Sequence, residues 1–587
     1  KKLVYNFKMK LNKMKNLKIY YLKIFYILFS ITLLGCKDTT PKSPLYLPQG
    51  FEATVFVDSI VETVRHMAVN KNGDLYVKFK RPSEAGVMGA IRDLNNDGVA
   101  DSLVKFGAYH MPQQGSYSTA SRIYKGHLYF SSQLTVYRIK LDEEKLVPTG
   151  PIEIIVDDDH AHGSHEHIGK PIAFDEEGHI FVPFGAPNNA CQNPKRTPLV
   201  PGQDPCPLLE DHGGIWRFDA EKVGQTQKDG DFYASGLRSI VALDWNTSNQ
   251  SLYAVVHGRD DLHRLWPNHF SQWESAMLPS EEFVKIEMGD HFGWPYCFYD
   301  QMQGKKVLAP EYGGDGTIIG RCADYKDPVI GFPGHWAPND LVFYTGDAFP
   351  DHYKNGAFIA FHGSTNRAPY PQSSYFIGFV PFKDGKPSGE YEIFADGFAG
   401  VDPIVNTRDA EFRPMGIAFA PDGSLYLGET EKGRIWKVQF KGDLENFGTQ
   451  QLAEMEKRKV LSHIKTPDIV TDRIEPKDLA IGQKIYNQYC MACHQSNGMG
   501  ASGRFPPLNG TDWVTGDKKR LVHIILNGME GAIEVNGEIY DGVMPQHSFL
   551  NDDQIADVLT YIRTHFGNEA ESISAEEVEN YRKSNKN

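Results

Sequence analysis

Cysteine is scarce, with seven in 587 residues, and no second C-x-x-C exists to complete a four-ligand zinc site. Basic charge is also short. Lys and Arg number 61 against 75 Asp and Glu, a formal net charge of −14, and that balance argues against nucleic acid as a partner. The N-terminal 35 residues hold lysines and no acid, so the remainder is more acidic still. The apolar run Ile24 to Leu34 is too short for a good membrane span. Helical periodicity is nearly missing between Pro41 and Lys441, which removes an α-helical body from consideration there.

What is present is most specific at Cys490-Met491-Ala492-Cys493-His494, the C-x-x-C-H haem c attachment pattern. Two thiols add to the two vinyl groups, and the following histidine reaches the iron. A redox pair would need no adjacent histidine. Methionine is the usual opposite ligand and raises the reduction potential. Met544 is expected in that role ahead of Met499 or Met529. Residues 477–567 are read as the haem domain. Its last helix starts at Asn551, with Gln554 completing a capping box, and presents Ile555, Val558, Leu559 and Ile562. Residues 568–587 read as a charged, frayed tail.

The N-terminus has the form of a targeting segment. Lysines precede the apolar run, and Leu33-Leu34-Gly35-Cys36 resembles a bacterial lipobox. Residues 1–35 are therefore expected to be a lipoprotein signal peptide, Cys36 the lipidated residue and 36–47 a tether; the alternative is an uncleaved anchor. Either ends at a membrane surface, with the chain exported to the periplasm or cell surface. In an oxidising compartment the pairs Cys191/Cys206 and Cys297/Cys322, each bracketing a Pro- or Gly-rich loop, read as disulfides; the alternative is four buried thiols.

The middle, 48–441, repeats a polar turn followed by an alternating apolar strand, as in Asn72-Gly73-Asp74-Leu75-Tyr76-Val77 and Asp422-Gly423-Ser424-Leu425-Tyr426-Leu427. The turns recur at about fifty residues and then at longer intervals, near the period of four-stranded propeller blades. An all-β six-bladed β-propeller is expected, followed by a linker over 442–476 and an all-α cytochrome c domain. A sandwich would not recur at blade spacing. Long insertions, 185–212 and 295–338, are expected to build a pocket at one end of the ring.

Polar clusters lie in this region. His160, His162, His165 and His167 fall within eight residues, which suits metal binding, a general base near neutral pH or a solvated loop. Arg238 and Arg413 stand at blade ends, where guanidinium forks could converge on one anion. Asp93, Asn95, Asp97 and Asp101 have calcium-loop spacing, but Val104 stands where an EF-hand has its acid; an acidic turn reads the same way.

Taken together, the histidine stretch with Lys170-Pro171-Ile172, Gly236-Leu237-Arg238, Gly293-Trp294-Pro295 and Arg413 before Pro421-Asp422-Gly423 resemble the soluble quinoprotein sugar dehydrogenases, the glucose and sorbosone dehydrogenase family. The resemblance implies a propeller holding pyrroloquinoline quinone (PQQ) and calcium. It implies His167, or else His165, as general base and Lys170, Arg238 and Arg413 as PQQ contacts. Two positions depart from the glucose-specific pattern. Ser239 replaces an asparagine and Glu411 an arginine, and an acid at 411 would repel a tricarboxylate. The implied reaction oxidises a sugar, polyol or aldehyde and hands electrons through the haem to a downstream acceptor. Rival readings keep the haem but make the propeller a docking module, or a calcium-dependent lactonase.

Overall fold

The computed structural model describes residues 45–107, 119–160, 166–461, 463–464, 481–495, 497–501 and 503–584. Cys36, His162, His165 and the segment expected to be the signal peptide lie outside them.

Six sheets of four or five strands make the propeller. Each turn-and-strand repeat seen in the sequence supplies one strand to a different sheet. These strands are Leu75–Ser83, His127–Ser131, His179–Phe184, Ser251–Val256, Ala357–Phe361 and Leu425–Glu429. All six are largely buried because both faces of a blade are covered by neighbouring blades, so the expected polar-out alternation is weak. The ring is closed by its own first strand. Phe51–Val57 pairs antiparallel with Ile435–Phe440, Ala53 facing Val438 and Val55 facing Trp436, which ties the domain's ends and leaves no open seam for another chain.

Inside the ring a charged knot joins separate blades. Asp340, fully buried, takes a hydrogen bond from Arg122 at 2.6 Å and one from the Ile417 amide at 2.9 Å. His66 lies 3.6 Å from the same carboxylate. Removing one partner of such a buried group costs about 3–5 kcal/mol, so the knot fixes how the blades meet beneath the cavity described below.

The expected linker is docked over its first half. Thr449–Arg458 is a helix. Met455 and Ile464 are buried in one cluster with Trp336 and Phe332, and Asp396 holds both Arg458 (2.5 Å) and His463 (2.9 Å). A charged sequence concealed this, because its few apolar side chains fall on one face.

The haem domain is helical, as expected. Ile481–Tyr489 crosses Asp552–Thr564 at Gly482, where a Cβ would stand 2.1 Å from the Asp557 carbonyl oxygen; only glycine permits that approach. Asn551 and Gln554 form the expected capping box, and Ile555, Val558, Leu559 and Ile562 are buried. The frayed tail is a correction. Ala575–Ser584 is a helix with Val578 fully buried and Arg582 bound to Asp552 at 2.5 Å. Three buried anchors in this region, Ile573, Val578 and Arg563, outweigh its charge-rich composition. The hairpin Ala532–Val535 with Glu538–Asp541 was not foreseen.

Candidate functional site

Both expected disulfides form, Cys191–Cys206 and Cys297–Cys322. They pack against each other with Tyr296, whose hydroxyl accepts from the Cys206 amide at 2.8 Å. They brace the two insertions that wall the propeller mouth, and those insertions send Arg196 and His335 into it.

The cavity at that mouth has a volume of about 730 Å3. His167 lines it. Its Nδ1 lies 2.7 Å from the Ala186 carbonyl oxygen. A carbonyl can only accept, so Nδ1 carries the hydrogen and Nε2 keeps its lone pair. Burial, then the Arg238 charge, holds this imidazole well below the usual histidine range, so it is a neutral base at pH 7. Gly185 sets the ring's position: a Cβ there would lie 2.0 Å from the His167 carbonyl oxygen.

Arg238 lines the same cavity and is 3% exposed. It donates to Gly258 O (2.6 Å), Asn189 Oδ1 (2.9 Å) and Asp260 Oδ2 (2.8 Å), while its buried Nε has no hydrogen-bond partner. Asp260 also takes Arg196 at 3.0 Å. Arg413 stands on the far wall, donating to His362 Nδ1 (2.8 Å) and Gly363 O (2.6 Å). Arg65 lines this wall too. Burial and the Arg65 charge push the nearby Lys80 ammonium down to about 8, the signature of cations gathered with too few acids. Nothing in the sequence assigned a role to Arg65, Asp260 or His362.

Three expectations are corrected. Lys170 does not line the cavity. It is 1% exposed, 2.7 Å from Asp158 and 4.1 Å from the Phe184 ring centroid, so its charge is consumed in the wall. Glu411 does not face the cavity either. It is exposed and bonded to Lys432 at 3.0 Å, and the expected repulsion of an anion falls away. The expected calcium ligands are turned onto the backbone. Asp93, Asn95, Asp97 and Asp101 accept from the amides of Gly98, Asp97, Val99 and Leu94. Only Asp93 Oδ1 is left buried and unbonded, and among the described residues these carboxylates do not gather closely enough to hold a metal ion.

Several histidines in and beside the cavity are buried in neutral form. Burial pushes His66 and His257 down to about 4 and lowers His335 and His362. The unfolded chain would protonate each near pH 6.5, so their stabilisation is complete above that pH and lost as pH falls toward each folded value, at up to about 1.4 kcal/mol per pH unit for His66 and His257. Glu281 opposes this: burial pushes it up to about 8, so its contribution is present in acid and lost as pH rises from 4.5 toward 8. The histidines outnumber it. The melting temperature of the propeller should therefore fall by about 5 °C or more between pH 6.5 and 5; a flat calorimetric profile would contradict these assignments.

In the haem domain Cys490 and Cys493 are not joined to each other, and burial pushes the Cys490 thiol up to about 12. A redox dithiol needs the opposite shift. His494 Nδ1 is 2.9 Å from the Pro506 carbonyl oxygen, which leaves Nε2 free to bind iron. The pocket beside it is apolar, lined by Leu521, Ile525, Leu559 and both Met529 and Met544. Those two methionines pair through their backbones. Met499 is 52% exposed and absent from the pocket. The donor set and the apolar slot fit a haem c.

The two sites face one another. A second cavity, about 710 Å3, is lined by propeller residues including Asp261, His263 and Arg264 and by Gln488, Cys493 and Arg504 of the haem domain. Gln488 and His263 are hydrogen-bonded across it at 3.2 Å.

Known proteins match the two domains separately. The TrAA12-like family matches residues 45–441 and the cytochrome c family residues 479–566. A family AA12 carbohydrate-active enzyme of Trichoderma reesei superposes with a TM-score of 0.53 at 18% identity, over 68% of this chain and 98% of that one. The PQQ domain of pyranose dehydrogenase from Coprinopsis cinerea gives 0.53 at 15%, over 69% and 99%. At these identities the likeness shows the fold alone. Cytochrome c-552 of Thermus thermophilus is 45% identical over 92 residues, which is 15% of this chain and 70% of that protein. The gluconate 2-dehydrogenase cytochrome c subunit of Pantoea cypripedii is 35% identical over 114 residues, 18% of this chain and a quarter of that subunit. A six-bladed ring with a cation-lined cavity, matched to the family from its first strand to its last, is here followed by a haem-binding module: the chain belongs to the TrAA12-like family of propellers and bears a C-terminal cytochrome c domain.

Proposed function

We propose that this chain is an exported, lipid-anchored quinohaemoprotein dehydrogenase that oxidises a sugar, polyol or aldehyde in the propeller cavity and passes the electrons to its own haem c. The observation that carries this reading is the shared space between the sites: Cys493, which would bear the haem, and the mouth of the propeller border one cavity. Short separation and attachment on one chain favour fast transfer.

The central cavity fits PQQ by its donors. Arg238, with a buried unpartnered Nε, and Arg65 and Arg413 opposite match an anion with carboxylates on several edges. When bound, PQQ would supply a two-electron acceptor at a carbonyl that a calcium ion could polarise. The chain's own work is different. His167 Nε2 removes the proton of the substrate hydroxyl. Asp260 fixes Arg238 and Arg196, and so holds the electrostatics around that base. His494 Nε2 and Met544 would ligate the iron of a haem, which would supply one-electron chemistry toward a downstream acceptor. Two disulfides accord with an oxidising compartment, and the lipobox at Cys36 would place the chain at a bacterial membrane, facing the periplasm or cell surface.

A docking module would need no convergence of arginines in the ring. A lactonase would need a carboxylate-held metal there; among the described residues the one such group, Asp175, Glu177 and His179, does not line the cavity. The test is to load the purified chain with PQQ and calcium, offer aldoses, polyols and aldehydes, and follow the reduced-haem absorbance. Substrate-driven reduction that requires PQQ is expected. Failure of every compound to reduce the haem would sink the reading.

A further inference from the structure

The central cavity opens into the interdomain one. Arg196, Thr365, Asn366, Thr407 and Arg504 border both. Arg504 belongs to the haem domain, so the cytochrome module contributes a wall residue to the propeller's own site.

Charge at this junction is lopsided. Arg196, Arg264, Arg408 and Arg504 line the interdomain cavity, and Asp261 is the single carboxylate among its described lining residues. Arg196 and Arg264 both bind Asp261, at 2.8 and 2.7 Å. Arg196 is further neutralised by Glu166 and Asp260. Among the described residues Arg408 and Arg504 have no salt-bridge partner. The Arg504 guanidinium lies 5.1 Å from the Phe505 ring centroid, a contact that leaves its donors unused. In a chain of net charge −14, the unpaired Arg504 guanidinium at the junction of the two cavities, with Arg408 on the interdomain side, concentrates anions there. Beside them Thr365, Asn366 and Thr407 offer the short hydroxyl and amide groups that suit sugar hydroxyls.

We propose that the substrate is a carboxylate-bearing sugar, a uronate or aldonate, and that Arg504, delivered by the haem domain, binds its carboxylate. This rests on the dehydrogenase reading above and names its substrate class. The carboxylate takes no part in the redox step. The carbinol carbon gives up two electrons with its hydrogen to the quinone, the hydroxyl proton goes to His167, and the carboxylate leaves unchanged on the product. Arg504 is thus a specificity residue: a neutral sugar would meet the same base and the same electron acceptor without this contact.

The experiment is titration calorimetry at low ionic strength on the full chain with haem attached, with and without PQQ and calcium. The probes are matched pairs: glucuronate against glucose, galacturonate against galactose, and gluconate against glucitol. In at least one pair the acid should bind about tenfold or more tighter than its neutral partner. Arg504→Gln should remove about that factor for the acid and leave the neutral member unchanged, and Arg504→Glu should go further. The haem spectrum and melting temperature report whether each variant is folded, and the neutral-sugar affinity serves as an internal control. Equal binding within every pair, or an acid affinity indifferent to Arg504→Gln, would overturn the proposal. Calorimetry reads binding without turnover. A protein that prefers acids but never reduces its haem therefore faults the dehydrogenase reading, and one reduced equally well by neutral sugars faults only the substrate class.

Discussion

His167→Ala should lower substrate-driven haem reduction by about 10²–10⁴-fold, the usual contribution of a positioned general base, with haem content unchanged. The argument is geometric first. Its Nδ1–H is committed to the Ala186 carbonyl at 2.7 Å, so Nε2 alone is left to take a proton from a group in the cavity that His167 lines. Its electrostatics agree, since burial and Arg238 keep the ring neutral. The lost hydrogen bond should cost only about 1 kcal/mol of stability, so the variant should stay folded. His167→Gln is the companion variant: it can keep a hydrogen bond but not serve as a base at neutral pH. Equal activity of wild type and both variants would remove His167 from the mechanism. Because the ring is already neutral at pH 6, the rate should show no limb near pH 6.5 from this group.

Cys490→Ala combined with Cys493→Ala should abolish covalently retained haem, read as the loss of haem peroxidase staining after denaturing electrophoresis, and with it all substrate-driven absorbance change. The haem domain should also become markedly less stable. Leu521, Ile525, Leu559 and Met544 line a slot that would otherwise expose or collapse apolar surface, at about 25 cal/mol per Å2 left in water. The propeller should melt as before, since its core clusters hold no residue of the haem domain. Met544→Ala should keep the haem attached but lower its potential, because a thioether ligand raises it; a shift seen with Met529→Ala instead would transfer the ligand to the neighbouring strand partner. Retention of covalent haem in the double cysteine variant would refute the attachment site.

Much of the ring was legible because β-blades write themselves locally. A polar turn followed by an apolar strand needs only neighbouring residues, and one such unit appears in each of the six sheets. The cysteines were legible for a similar reason: bonds between nearby thiols depend on chain proximity. The Lys170 contact was implied by the family resemblance, and nothing in one dimension shows that its partner Asp158 holds it in the wall. Glu411 misled in the same way, through a position whose side chain points to solvent and Lys432. The acidic loop at Asp93 has the composition of a calcium site, yet its oxygens close a turn by bonding backbone amides.

By itself the chain's order of residues determined the C-x-x-C-H pattern at Cys490, Cys493 and His494, the blade count and the cysteine pairing, because each depends on spacing along the backbone. Only the tertiary structure decided which groups share the cavity. Arg65, Asp260 and His362 lie far apart in sequence and meet there because a closed ring brings the ends of all its blades to one axis, and the haem domain adds Arg504. It also decided that Cys493 borders the space into which that cavity opens. Whether two modules on one chain exchange electrons is a matter of through-space distance, and no periodicity or motif encodes it.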